Sequence, residues 1–65
     1  MDKETKMKLV EKLTKLKMMS KMYEYTFKNA GSKMSSKEMN ELLDAKLETD
    51  KQARILEKVL KELEK

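Results

Sequence analysis

The 65-residue sequence contains no cysteine, histidine, proline or tryptophan, and only one glycine. Without cysteine and histidine it has no disulfide, no thiol nucleophile, no Cys/His zinc site and no imidazole general base. Without proline, and with abundant Lys, Glu, Leu and Met, intrinsic propensity favours helix throughout. We therefore predict an all-α chain with no catalytic residues, no metal ligands and no cofactor.

The small size of the chain also argues against an enzyme. Residues 1–65 can form one helical domain at most, with little interior to support an active-site cleft. No apolar run reaches the roughly 20 residues that a membrane span needs, and the charged N-terminus lacks the apolar stretch of a signal peptide. We expect a non-enzymatic, cytoplasmic protein that does not enter a membrane.

The charge of the chain, +4 in total, is unevenly distributed. Residues 1–33 hold nine lysines and four acids, whereas residues 34–65 hold seven basic and eight acidic residues. Only Arg54 can make a forked contact to a phosphate or a base. The basic first half is compatible with nucleic-acid binding and equally with a solvated surface.

Capping patterns predict where the helices begin. Asp2 is a candidate N-cap, Ser35 with Glu38 fits the capping box S-x-x-E, and Thr49 with Gln52 fits T-x-x-Q. The segment "NAGSKMSS", residues 29–36, predicts a turn in which Gly31 adopts the left-handed conformation. The sequence thus predicts a long helix, a turn near Gly31 and a returning helix bent or broken near Thr49, as a hairpin or a three-helix domain.

Apolar residues of the first helix fall on two faces. At about 100° per residue one stripe should form the core, with Met19 at its edge: Leu9, Val10, Leu13, Leu16, Tyr23, Phe27 and Ala30. A second set lies on the opposite side and predicts a surface buried by a partner protein, by a copy of the chain or by another helix: Met7, Met18, Met22 and Tyr25.

Two stripes also divide the second half of the chain. The first should pack against the first helix, so that large-to-small changes such as Leu43→Ala cost roughly 2 to 5 kcal/mol: Met39, Leu42, Leu43, Leu47 and Ala53. The second points in another direction and motivates the predicted break: Ile55, Leu56, Val59, Leu60 and Leu63.

Three segments resemble the N-terminal helical region of the IstB-like and DnaC-like AAA+ loader family. They are "LKMMSKM" (residues 16–22), "MSSKEMNELLDAKLE" (residues 34–48) and "KQARILEKVLKEL" (residues 51–63). The sequence has Lys46 where the family tends to carry an acid, and it has no P-loop, so ATP would be hydrolysed by another polypeptide. The resemblance implies an adaptor that contacts a client, a hexameric helicase or a transposase, together with an AAA+ ATPase.

Two alternatives to this adaptor function remain open. One is a small basic helical hairpin that binds nucleic acid, with Lys15, Lys17, Lys21 and Lys28 as candidate contacts. The other is a homo-oligomeric regulator or inhibitor. The adaptor hypothesis instead places the partner on Met7, Met18, Met22 and Tyr25, because flexible methionines repack against varied surfaces.

Overall fold

The computed structural model describes residues 2–64 and shows a helical hairpin. Helix α1 spans Lys3–Ala30, a single 3₁₀ turn spans Gly31–Lys33, and helix α2 spans Ser36–Leu63. The two long helices pack side by side in antiparallel directions along a 46 Å axis. The predicted all-α class is therefore confirmed in its two-helix form.

Side-chain caps fix the start of both helices. The carboxylate of Asp2 accepts a hydrogen bond of 2.7 Å from the Thr5 amide. At α2 the Ser35 hydroxyl accepts from the Glu38 amide, while the Glu38 carboxylate accepts from the Ser35 amide, each at 3.2 Å. Both caps satisfy amides that the first helical turn leaves without a partner, so these two predicted N-termini are confirmed.

The turn between the helices does not use the left-handed glycine that the sequence predicted. Gly31 has φ −57° and ψ −39°, and no residue within 2–64 has a positive φ. Its amide continues the helical ladder by donating to the Phe27 carbonyl. The chain then leaves through the 3₁₀ turn, closed by a 3.2 Å bond from the Met34 amide to the Gly31 carbonyl. Gly31 therefore extends α1 in right-handed geometry.

The predicted break near Thr49 is wrong, because α2 is helical without interruption across residues 48–50. Thr49 is 6% exposed and lies in the buried part of α2, so it does not cap a new helix. Two side-chain bonds four residues apart span the segment, one from Lys46 to Asp50 and one from Gln52 to Glu48. Such pairs stabilise a continuing helix.

The seam between the helices follows heptad spacing, with steps of four and three residues. Such spacing keeps one face of each helix toward its neighbour. The α1 residues of the seam, all at least half-buried, are Leu9, Leu13, Leu16, Ser20, Tyr23, Phe27 and Ala30. This confirms most of the predicted core stripe of α1, except that Val10 is 45% exposed. The α2 members are Leu42, Lys46, Thr49, Ala53, Leu56 and Leu60.

The predicted core stripe of α2 is wrong in three of its members. Met39, Leu43 and Leu47 are 38%, 45% and 55% exposed. The prediction placed the large apolar residues in the core. The face of α2 that packs on α1 instead includes Lys46 and Thr49. Leu56 and Leu60, which were assigned to another direction, pack toward α1.

The core that results is thin. The only buried apolar residues within 2–64 are Leu16, Ala53 and Leu60, and no side chain there is completely buried. Large apolar side chains remain exposed on both helices. Their exposed fractions run from 38% to 70%, and they are Met7, Val10, Met18, Met19, Met22, Tyr25, Met39, Leu43, Leu47, Ile55, Val59 and Leu63.

Candidate interaction surfaces

Three of the four predicted partner-binding residues, Met18, Met22 and Tyr25, lie together on the side of α1 that faces away from α2, here called the outer surface of α1. Met7 lies about three helical turns away. Met18 and Tyr25 are seven residues apart and occupy the heptad position opposite the seam. Met18, Met22 and Tyr25 are 60%, 67% and 70% exposed, and Met7 is 56% exposed nearer the N-terminus. The structure therefore leaves all four side chains accessible.

The heptad geometry of α1 gives this surface its position. The seam residues Leu16 and Tyr23 fix which side of the helix turns toward α2. Residues at i+2 from a seam position then point roughly 200° away from it, which places Met18 and Tyr25 outward. Their exposure thus follows from the same spacing that buries Leu16.

A polar cluster crosses the middle of the seam. The Ser20 hydroxyl of α1 donates to the Asp50 carboxylate of α2, and the Lys46 ammonium donates to the same carboxylate at 2.8 Å. Lys46 also pairs with Glu24 of α1 at 3.6 Å. The Lys46 side chain is only 20% exposed, so its charge is held by two carboxylates rather than by open water.

Charge-assisted hydrogen bonds shift the titration of this cluster. The bond from Lys46, and next that from Ser20, hold the pKa of Asp50 below its usual value. The same bond to Asp50 raises the pKa of Lys46. Both shifts favour the charged forms. The sequence analysis did not predict this cluster. The usable signal was Lys46 and Asp50 four residues apart on one helix, together with the polar Ser20 in the apolar stripe of the other.

Further ion pairs lie on the same side of the hairpin as Asp50, here called the ion-paired face. Lys17 binds Glu57 at 2.6 Å, and Lys6 binds Glu64 at 2.7 Å. The bond from Lys17 lowers the pKa of Glu57. These pairs join α1 to α2 and match residues 6 and 17 with residues 64 and 57, which defines the register of the two helices.

The four candidate nucleic-acid contacts do not form one patch. Lys17, Lys21 and Lys28 project on the side of the ion-paired face, and Lys17 is already paired with Glu57. Lys15 projects from the other side of α1, by its heptad position. The structure thus brings three of the four lysines to one side and separates the fourth from them.

The opposite broad face contains an open apolar groove between the helices. It is lined by Leu16 and Leu56 of the seam, by the half-exposed Ile55 and Val59, and by the side chains of Lys12 and Gln52. No ion pair within residues 2–64 crosses this side of the seam. One broad face of the hairpin is therefore bridged by charges and the other is open and apolar.

Comparisons of the chain with protein-family models, with curated proteins and with solved structures gave no match. Within the described residues, neither α1 nor α2 contains a segment long and apolar enough to cross a membrane. In the same residues no group of three or more His, Cys, Asp or Glu side chains is arranged to hold a metal ion.

Proposed function

We propose that this protein is a non-enzymatic interaction module that binds another protein through the outer surface of α1. The exposure of Met18, Met22 and Tyr25 supports this most directly, because these neighbouring large side chains are each more than half accessible. They occupy positions i, i+4 and i+7, the spacing with which one helix presents anchors to a groove. Exposed apolar clusters of this kind mark interaction sites.

The chemistry of the surface fits a protein partner with an apolar groove. Tyrosine is enriched among the residues that contribute most to binding energy, and within residues 2–64 Tyr25 is the most exposed of the large apolar side chains, at 70%. Methionine side chains adapt their shape to the surface that covers them. Lys21 and Lys28 beside Tyr25 favour a groove with acidic borders.

The resemblance to AAA+ loader proteins supplies a more specific form of the proposal. In that form the hairpin is an adaptor, its client is a hexameric helicase or a transposase, and a separate AAA+ ATPase hydrolyses ATP. The exposed surface of α1 supports the adaptor role in general, while the identity of the client rests on the resemblance alone.

The test replaces Met18 and Tyr25 with glutamate in one variant and Leu43 and Leu47 with glutamate in a matched control. The control also introduces two acids at exposed apolar positions, but on α2. Helicity is followed by circular dichroism, mass by light scattering, and binding to a candidate helicase or transposase by pull-down. Loss of binding in the Met18/Tyr25 variant alone, with helicity and mass unchanged, is the expected result.

Other outcomes would contradict this proposal. If the Met18/Tyr25 variant loses helicity, its side chains belong to the core. If it binds every partner that the wild type binds, the outer surface of α1 is not the site. Binding of the wild type to nucleic acid, weakening steeply with salt, would favour the lysine-based alternative, because phosphate contacts release counterions and apolar contacts do not.

A further inference from the structure

The open broad face of the hairpin has an unusual charge arrangement. In heptad terms it consists of the g and c positions of both helices, which flank the seam on one side; we call it the lysine–glutamate face. Its α1 half has three lysines and no acid: Lys8, Lys12 and Lys15. Its α2 half has four glutamates and no base: Glu38, Glu41, Glu48 and Glu62.

Apolar residues occupy the middle of this face. Met19 and Met22 on the α1 side are 42% and 67% exposed, and Ile55 and Val59 on the α2 side are 55% and 39% exposed. The groove beside Ile55 and Val59 reaches down to the seam leucines Leu16 and Leu56. An apolar centre with charged borders is the general anatomy of a protein interface.

We infer that the lysine–glutamate face binds a second copy of this chain, forming an antiparallel four-helix bundle. The inference does not rest on the proposed partner, whose test uses Met18 and Tyr25; Met22 borders both surfaces. The two-fold axis runs parallel to the helices, so α1 of each copy lies on α2 of the other and both turns lie at the same end.

Charge complementarity selects the second copy and this orientation. With the axis parallel to the helices, the lysine-bearing N-terminal part of α1 faces the C-terminal part of the other copy's α2, which carries Glu62. The register set by the pairs Lys6–Glu64 and Lys17–Glu57 places Lys8 at the level of Glu62. With the axis across the helices, α1 would lie antiparallel on α1, and Lys15, near the middle of the helix, would approach its own copy. Like charges in such positions disfavour that arrangement.

The area of the face fits a stable dimer. The hairpin measures 46 Å by 15 Å between its outermost Cα atoms, so the face covers roughly 700 Å², close to the ≈ 800 Å² that each partner buries in a standard interface. A chain of this size rarely obtains sufficient stability from one small core. Because the sequence has no cysteine for a disulfide, burial of this face by a second copy is the means of stabilisation that the chain itself supplies.

The first experiment compares Ile55→Lys with Leu47→Lys. The two side chains are matched, since both are 55% exposed on α2 and receive the same new side chain. Ile55 lies on the lysine–glutamate face, whereas Leu47 projects on the side of the ion-paired face. Sedimentation equilibrium should show the wild type and Leu47→Lys at twice the 7.7 kDa chain mass. Ile55→Lys should weaken dimerisation about tenfold or more, as loss of a central anchor does.

The second experiment tests the orientation of the two copies. Ser32 lies exposed in the turn, and because the sequence has no cysteine, Ser32→Cys accepts a single pyrene label. Both turns at the same end predict pyrene excimer emission in the dimer. Turns at opposite ends would be separated by most of the 46 Å length and give none.

Three results would overturn this inference. The first is a wild type that stays monomeric throughout a concentration series up to its solubility limit. The second is a Leu47→Lys variant that weakens the dimer as much as Ile55→Lys does. The third is a dimer without excimer emission. If Ile55→Lys loses helicity, the second experiment decides, because the labelled Ser32→Cys chain tests the dimer without altering Ile55.

Discussion

Ser20 of α1 donates a hydrogen bond to Asp50 of α2 at the middle of the seam, thirty residues apart in the sequence. Lys46 donates to the same carboxylate and also pairs with Glu24 of α1. A polar group inside a helical seam specifies register because only one alignment satisfies it. The cluster therefore fixes how α1 and α2 align.

The first prediction concerns the dependence of stability on pH. Hydrogen bonds from Lys46 and then Ser20 hold the pKa of Asp50 below its usual 3.8 in the folded chain. A carboxyl group with a lowered folded pKa stabilises the fold above its unfolded pKa, and this contribution is lost as pH falls through the folded value. We expect the hairpin to lose stability as the pH falls below about 3.8.

Urea denaturation at a series of pH values, with Asp50→Asn as the test variant, measures this contribution. The variant should be less stable than the wild type at pH 7 and should lose less stability in acid. Some acid dependence will remain, because the bond from Lys17 also lowers the pKa of Glu57. Asp44→Asn, an exposed position on the same helix, is the control. Identical acid profiles for wild type and Asp50→Asn would contradict the assignment.

The second prediction contrasts a leucine in the seam with one outside it. Leu16 is 5% exposed, so Leu16→Ala should lower the free energy of unfolding by about 2 to 5 kcal/mol, as large-to-small core changes do. Leu43 is 45% exposed, and Leu43→Ala should change it by about 0.5 kcal/mol or less. Chemical denaturation of both variants tests this. Equal costs would mean that Leu43 shares the core with Leu16.

The third prediction follows from the right-handed conformation of Gly31. An added Cβ at this residue would have open space around it, with no atom of a more distant residue within 4 Å. Gly31→Ala should therefore stabilise the hairpin by about 0.4 to 1 kcal/mol, since alanine reduces the conformational freedom of the unfolded chain. Gly31→Pro is the contrasting variant, because proline cannot donate the hydrogen bond that Gly31 makes to Phe27. A destabilised Gly31→Ala variant would indicate a left-handed residue in solution.

The sequence predicts the starts of α1 and α2 and most of the α1 side of the seam, for physical reasons. Capping is local, so Asp2 and Ser35 can be recognised from residues within three positions. On α1 the seam follows the large apolar residues apart from Ser20 and Val10, and their periodicity alone identifies Leu13, Leu16 and Phe27. Where local chemistry and hydrophobic periodicity agree, the prediction is correct.

The α2 side of the seam could not be predicted in the same way. Thr49 is buried and Lys46 half-buried there, whereas Leu43 and Leu47 lie outside. Lys46 belongs in the seam only because Asp50 and Glu24 receive its charge, and that pairing depends on the register of two helices. A prediction that places every lysine in solvent therefore assigns the wrong face of α2 to the core. The same error produced the predicted break near Thr49.

The last prediction tests the capping box at the start of α2 with two neighbouring serines. The Ser35 hydroxyl accepts from the Glu38 amide, and its own amide donates to the Glu38 carboxylate. Ser35→Ala removes the first bond and should lower the free energy of unfolding by about 1 kcal/mol, within the 0.5 to 2 kcal/mol measured for N-caps. Ser36 occupies the first helical residue, and no side-chain hydrogen bond of Ser36 is found in residues 2–64.

Ser36→Ala is therefore the matched control, with the same chemical change one residue away. It should leave stability equal or slightly raised, because alanine is the better helix former. The two variants are compared by urea denaturation at one protein concentration, so that association contributes equally to both. The capping assignment requires Ser35→Ala to be the less stable of the two. The reverse order would place the start of α2 one residue later, with Ser36 as the cap.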